Sequence, residues 1–180
     1  MEKREKIFVY IDGANLHKGV DDLGWRLDYQ RFQVWLTDKY GAARIYLFLG
    51  LVPKYKALYT ELQEFGYTLV FKETIYDGSG QVKGNCDADL VLKVVCDFYE
   101  KEFSKAIIVA GDGDYACLAQ FLKEKNGLGR ILAPNYKKCS ILLKRTGAII
   151  TFLNEFKEKL EKVQNEKAPN ADGTASGSFS

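Results

Sequence analysis

The chain has 180 residues, 47% of them hydrophobic, enough for one domain with a core that needs no disulfide or metal staple. A formal charge of +2 neither requires nor excludes a nucleic-acid partner, because local patches matter more than the sum. Cys86, Cys96, Cys117 and Cys139 form no CxxC pair and His17 is the single histidine, which argues against a Cys/His zinc site and for reduced thiols in a cytoplasmic protein.

The N-terminal MEKREK leads straight into a strand, without the apolar segment of a signal peptide, and no later run reaches transmembrane length. Residues 7–11 (IFVYI) are an unbroken apolar run, as expected of a strand buried on both faces. The segment 12–40 is irregular, with a short helix predicted near 30–39. Similar strand-like runs follow at 45–49, 67–71, 106–110, 129–133 and, shorter, at 147–151. Between them, apolar residues at helical spacing predict helices over 54–65, 87–102, 114–125, 136–145 and 152–163. The polar, glycine-rich stretch 72–86 reads as a surface loop or small hairpin around Asp77-Gly78. Strands alternating with helices predict a three-layer α/β/α domain over 1–164 with a mostly parallel sheet. Residues 165–180, low in hydrophobics and rich in Gly, Ser, Ala and Asn, are expected to be a disordered tail.

The acids fall in a pattern. Asp12 follows the first strand, and Asp112 and Asp114 follow the fourth. In an open parallel sheet, sites form beyond the carboxyl ends of the strands where the winding reverses. Asp12 and Asp112 are therefore the expected core pair. Asp87 and Asp89 open a long helix that starts from the same edge. Taken singly, each is an ordinary turn or helix-start acid, and Asp89 is assigned that plainer role. Asn15 can cap a helix or hold Asp12 or a metal-bound water, and His17 reads as a surface residue. Converging carboxylates repel unless protonated or bridged by a cation, and an all-oxygen donor set suits Mg²⁺ or Mn²⁺.

The ordered stretches VYIDGANLHKG, KGNCDADLVL and IIVAGDGDYACLAQFLKE resemble the NYN domain, of the LabA-like branch, within the PIN-like nuclease superfamily. The likeness spans about residues 6–150. It implies a PIN-like α/β/α sandwich with strand order 3-2-1-4-5 and Mg²⁺- or Mn²⁺-dependent cleavage of RNA or, more broadly, nucleic acid, with single-stranded DNA a further candidate partner. It also implies a site of Asp12, Asn15, Asp87, Asp112 and Asp114, the four acids being metal ligands. The chain departs from the pattern at Gly111, where Ser is usual, and at Tyr115, where Phe is commoner.

The expected reaction is endonucleolytic hydrolysis by a metal-activated water. Lys83, Lys137, Lys138, Lys144 and Arg145 are candidate phosphate contacts, with Lys54 and Lys56 behind them, and Tyr76 or Trp25 could stack on a base. No membrane partner is expected, and a homodimer stays open. Two rival readings remain: a nucleic-acid-binding scaffold that cleaves nothing, and a metal-dependent phosphatase. An aspartyl-nucleophile phosphatase is disfavoured, since Ala14 stands where its second Asp would be.

Overall fold

The computed structural model describes residues 5–72, 75–76, 82–83 and 86–163, the side chains of residues 75, 76, 82 and 83 excepted. Its main sheet has six parallel strands: β1 (Ile7–Asp12), β2 (Ala42–Gly50), β3 (Thr68–Lys72), β6 (Lys105–Val109), β7 (Leu128–Ala133) and β8 (Ile150–Phe152). The order is β3-β2-β1-β6-β7-β8. The expected five-strand order is thus present, with a sixth strand added beyond the fifth. A separate antiparallel hairpin pairs β4 (Ile75–Tyr76) with β5 (Val82–Lys83). Asp77-Gly78, at the turn expected there, and the tail at 165–180 lie outside the described residues.

The helices are α1 (Gly13–Asp21), α2 (Tyr29–Tyr40), α3 (Lys56–Glu64), α4 (Asp87–Tyr99), α5 (Ala116–Glu124), α6 (Ile141–Arg145) and α7 (Lys157–Leu160). They form two layers because neighbouring residues of β1 point to opposite faces. Phe8 and Tyr10 pack with Leu90 and Val94 of α4, Leu118 and Leu122 of α5 and Leu143 of α6. Val9 and Ile11 pack with Leu16 of α1, Phe32 and Leu36 of α2, Leu62 of α3 and Leu160 of α7. With both faces covered, the strands read as unbroken apolar runs. Among the described residues no helix is long and apolar enough to cross a membrane.

Three expectations need correction. The irregular 12–40 segment holds two helices, each started by an aspartate: Asp12 accepts from the Asn15 N–H and Asp28 from the Arg31 N–H. The helix expected at 136–145 begins only at Ile141. Before it, the Asn135 side-chain oxygen Oδ1 accepts from the N–H groups of Lys137 and Lys138, so those donors are satisfied in a turn. The helix expected at 152–163 shrinks to a 3-10 turn at Leu153–Phe156 followed by α7.

Gly13 shows why a glycine follows Asp12. A β-carbon there would lie 2.5 Å from Leu49 Cδ2 and 2.7 Å from the Phe48 carbonyl oxygen, and a backbone oxygen in a sheet cannot step aside. Gly13→Ala should therefore cost about 2 kcal/mol in urea unfolding. A loss under about 0.5 kcal/mol would mean that α1 rides less tightly on β2 than this geometry requires.

Candidate active site

The winding reverses between β1 and β6, which pair directly from Ile7↔Lys105 to Ile11↔Val109. Beyond their carboxyl ends lies a groove of about 810 Å³. Asp12, Asp87 and Asp112 all line it. Asp114 does not; it faces an adjoining depression of about 410 Å³ together with Lys18, Lys138 and Ser140.

Asp12 is 7% exposed. Its Oδ1 accepts from the Asn15 N–H at 2.9 Å and its Oδ2 from the Tyr115 hydroxyl at 2.9 Å. Burial pushes its carboxyl above the ordinary range, and the charge of Asp87 pushes the same way, while the two donors pull it back. The same Tyr115 hydroxyl lies 2.6 Å from Asp87 Oδ1. A phenol carries one proton. It can therefore donate to only one of the two carboxylates at a time, and two like charges this close favour a shared proton or a bound cation. Burial, then the charge of Asp12, holds the Tyr115 phenol far above its usual value, so it stays a neutral donor.

Asp12 thus meets Asp87 closely through Tyr115, while Asp112, the other half of the expected core pair, lines the same groove. Strand parity explains the first contact: Asp12 shares the face of Phe8 and Tyr10, which is the face covered by α4, and Asp87 is the first residue of α4. Asp112 is exposed and occupied locally, its Oδ1 accepting from the Asp114 N–H at 3.2 Å. Among the described residues, no group of three or more His, Cys, Asp or Glu side chains is arranged to hold a metal ion together. The Asp12–Asp87 pair still fits a hard cation. Mg²⁺ commonly takes one or two carboxylates and completes its shell with water and substrate phosphate.

Asn15 is a staple. Its side-chain oxygen accepts from the Gly111 N–H at 2.8 Å, tying the exit of β1 to the exit of β6. At Gly111 a β-carbon would meet nothing closer than 3.8 Å, so a serine β-carbon would fit there without steric conflict. Asp89 keeps its helix-start place in α4 and forms a 2.7 Å ion pair with Lys72. His17 is exposed on the groove rim. Cys86 also lines the groove, but burial and then Asp12 push its thiol up to about 11, so it is no thiolate nucleophile at neutral pH.

The basic candidates scatter. Lys138 is paired with Asp22 at 2.6 Å, and Lys137 lies over the Tyr136 ring at 5.7 Å. Lys144 and Arg145 are exposed in the last turn of α6. Lys83 is on β5, and its side chain, like that of Tyr76, lies outside the described residues. Trp25 is 3% exposed in the α1–α2 core and is closed to stacking.

Tyr115 is the functional residue that sequence reasoning passed over, treating it as a departure from Phe. The signal was the hydroxyl itself, at the tip of an aromatic ring three residues after the strand-end acid Asp112. Tyr115→Phe keeps the buried ring and removes the hydroxyl that both carboxylates approach. We expect it to lower stability by about 2 kcal/mol in urea with EDTA at neutral pH, the usual worth of a hydrogen bond to a charged group. An unchanged midpoint would show that the carboxylates find water instead.

Comparison with known proteins agrees with the fold. The model of the NYN domain matches residues 6–149. A crystal structure of a protein of unknown function from Vibrio parahaemolyticus superposes with a TM-score of 0.72 at 18% identity, covering 90% of this chain and 100% of that one. The D15 protein of T5, co-crystallized with metal ions, gives a TM-score of 0.42 at 12% identity over 75% of this chain and 56% of its own. No curated protein matches the sequence significantly. With 6–149 matched, most of its length, the chain belongs to the NYN domain family.

Proposed function

We propose that the chain is a Mg²⁺- or Mn²⁺-dependent endoribonuclease of the LabA-like branch. One observation carries the reading: Asp12 and Asp87 converge on a single hydroxyl at the sheet's switch point, in a groove that Asp112 also lines. NYN domains are generally nucleases, which supports the same chemistry.

Asp12 and Asp87 would hold the cation, whose chemistry is to neutralise the phosphate and acidify a water. The rest falls to the protein. Tyr115 keeps the two carboxylates together, and Asn15 holds the ends of β1 and β6 at fixed spacing. Asp112, exposed at the groove, accepts the proton of the attacking water. Lys18, on the groove rim, offers charge to the backbone phosphate.

The test is incubation of the purified protein with labelled single-stranded RNA, single-stranded DNA and a small phosphomonoester, in Mn²⁺ or in EDTA. Internal cleavage of RNA in Mn²⁺ and none in EDTA is the expected result. Tight RNA binding without cleavage under any metal would replace this reading with a scaffold. Turnover of the monoester alone would replace it with a phosphatase.

A further inference from the structure

The groove has two unlike walls. The acids stand at one end. Along the other run Leu49, Val52, Tyr55 and Leu58, with Tyr59 beneath. Tyr55 is 45% exposed and Leu58 41% exposed, so this wall does not belong to the core. It is nevertheless built rather than loose. The Tyr59 hydroxyl accepts from the Val52 N–H at 3.0 Å and donates to the Gly50 carbonyl at 3.2 Å, pinning the turn that carries Tyr55 to the end of β2. The Tyr59 ring is held in turn by an edge contact with Phe71 at 4.8 Å. Lys54 Nζ lies 4.9 Å from the Tyr55 ring centre.

An exposed aromatic ring with an ammonium over it, on an apolar wall of a groove that also holds carboxylates, defines its occupant by chemistry. A greasy peptide would use the wall but leave the lysine and the acids idle. A nucleotide uses all three: a flat base for the ring, a phosphate for Lys54, and the next phosphodiester for the acidic end. The groove volume, about 810 Å³, lies within the size range of small-molecule sites. A base inside a duplex has both faces covered and cannot enter.

We propose that Tyr55 is the floor of a base-stacking slot that takes one unpaired nucleobase next to the scissile phosphodiester and so selects single-stranded substrate. The slot rests on the nuclease reading for the word scissile, but its binding can be measured without cleavage.

The experiment is fluorescence anisotropy of a labelled single-stranded oligouridine and of a blunt RNA duplex, with Ca²⁺ in place of Mn²⁺. Tyr55→Ala should weaken the single strand by about ten-fold, within the usual worth of one base stack, and leave duplex binding unchanged. Tyr55→Phe and Tyr55→Trp should bind like the unaltered protein, which keeps the test valid if the alanine variant unfolds. The slot is overturned if Tyr55→Ala binds normally, if Tyr55→Phe loses as much as Tyr55→Ala, or if duplex affinity falls in parallel. It is also overturned if sedimentation shows a dimer that Tyr55→Ala dissolves, since the wall would then belong to a second copy. If the unaltered protein binds the single strand through Tyr55 yet cuts no RNA in Mn²⁺, the nuclease reading fails and the slot stands.

Discussion

Asp12→Asn is expected to do two opposite things: abolish metal-dependent RNA cleavage and stabilise the metal-free protein. The loss should reach about a thousand-fold or more, because an amide neither binds Mg²⁺ as a carboxylate does nor shares the charge of the pair with Asp87. The gain comes from burial. The Asp12 carboxyl, 7% exposed, is raised above its ordinary value of 3.8, first by desolvation. A raised carboxyl stabilises the fold at pH values below its unfolded value. That contribution is lost as pH climbs through the folded value, so at neutral pH the ionised group is a liability. Asparagine removes the charge and keeps the cap, since its side-chain oxygen can still accept from the Asn15 N–H. In EDTA at neutral pH the variant should be more stable by about 1 kcal/mol, a melting-point rise of about 3 °C. Its stability should also fall less with rising pH above about 4. Saturating Mn²⁺ should reverse the order, by stabilising only the unaltered protein. Cleavage that survives in Asp12→Asn would remove the residue from the site. A variant less stable than its parent in EDTA would mean that burial is not what dominates at Asp12.

The strands and the edge on which the acids gather were legible because each follows from local sequence. IFVYI and AIIVA are apolar throughout, as strands covered on both faces must be, and each is followed by an acid where the sheet ends. That Asp87 gathers at the same edge was legible too, but the Tyr115 hydroxyl that joins it to Asp12 was not. Asp112 stands near Asp12 in strand order, yet the close contact is with Asp87, whose helix covers the face to which β1 parity turns Asp12. That parity can be counted along IFVYID, but which helix covers which face is a property of the wound chain. The Asn135 turn was missed for a related reason. Helical spacing across 136–145 is a weak signal against a side chain that satisfies two backbone donors directly. Tyr55 gave no sequence signal, since only the three-dimensional path of the β2–α3 connection leaves its ring exposed on the groove that the acids also line.

Asp97→Ala is expected to be the most destabilising of these changes, at about 3–4 kcal/mol, although the residue does not line the groove. Asp97 occupies the buried stripe of α4 with Leu90 and Val94, is 1% exposed, and accepts from the Tyr10 hydroxyl at 2.8 Å and from Lys93 at 2.7 Å. Tyr10 is wholly buried and stacked on Tyr46 at 5.2 Å, so its hydroxyl has no water to turn to. Burial, then Asp97, holds that phenol far above its usual value, which keeps it a neutral donor. Removing the carboxylate strands the donor and leaves a cavity. Lys93 loses less, because its side chain is 38% exposed and can reach solvent. Tyr10→Phe should therefore cost only about 1–2 kcal/mol, and adding it to Asp97→Ala should cost less than the sum, since the orphaned hydroxyl is then gone. Urea unfolding of the two single variants and the double variant reads all three numbers. Additive losses would show that the hydroxyl and the carboxylate do not depend on one another. The interaction matters for the site because α4 is bound to β1 twice: Asp97 to Tyr10 along the helix, and Asp87 through Tyr115 to Asp12 at its start. Tyr10 and Asp12 share one face of β1, so the buried bond fixes the height at which Asp87 meets Asp12. Loosening it should weaken Mn²⁺ binding even in the fraction of Asp97→Ala that stays folded, whereas a purely global destabilisation would leave the affinity of folded molecules unchanged.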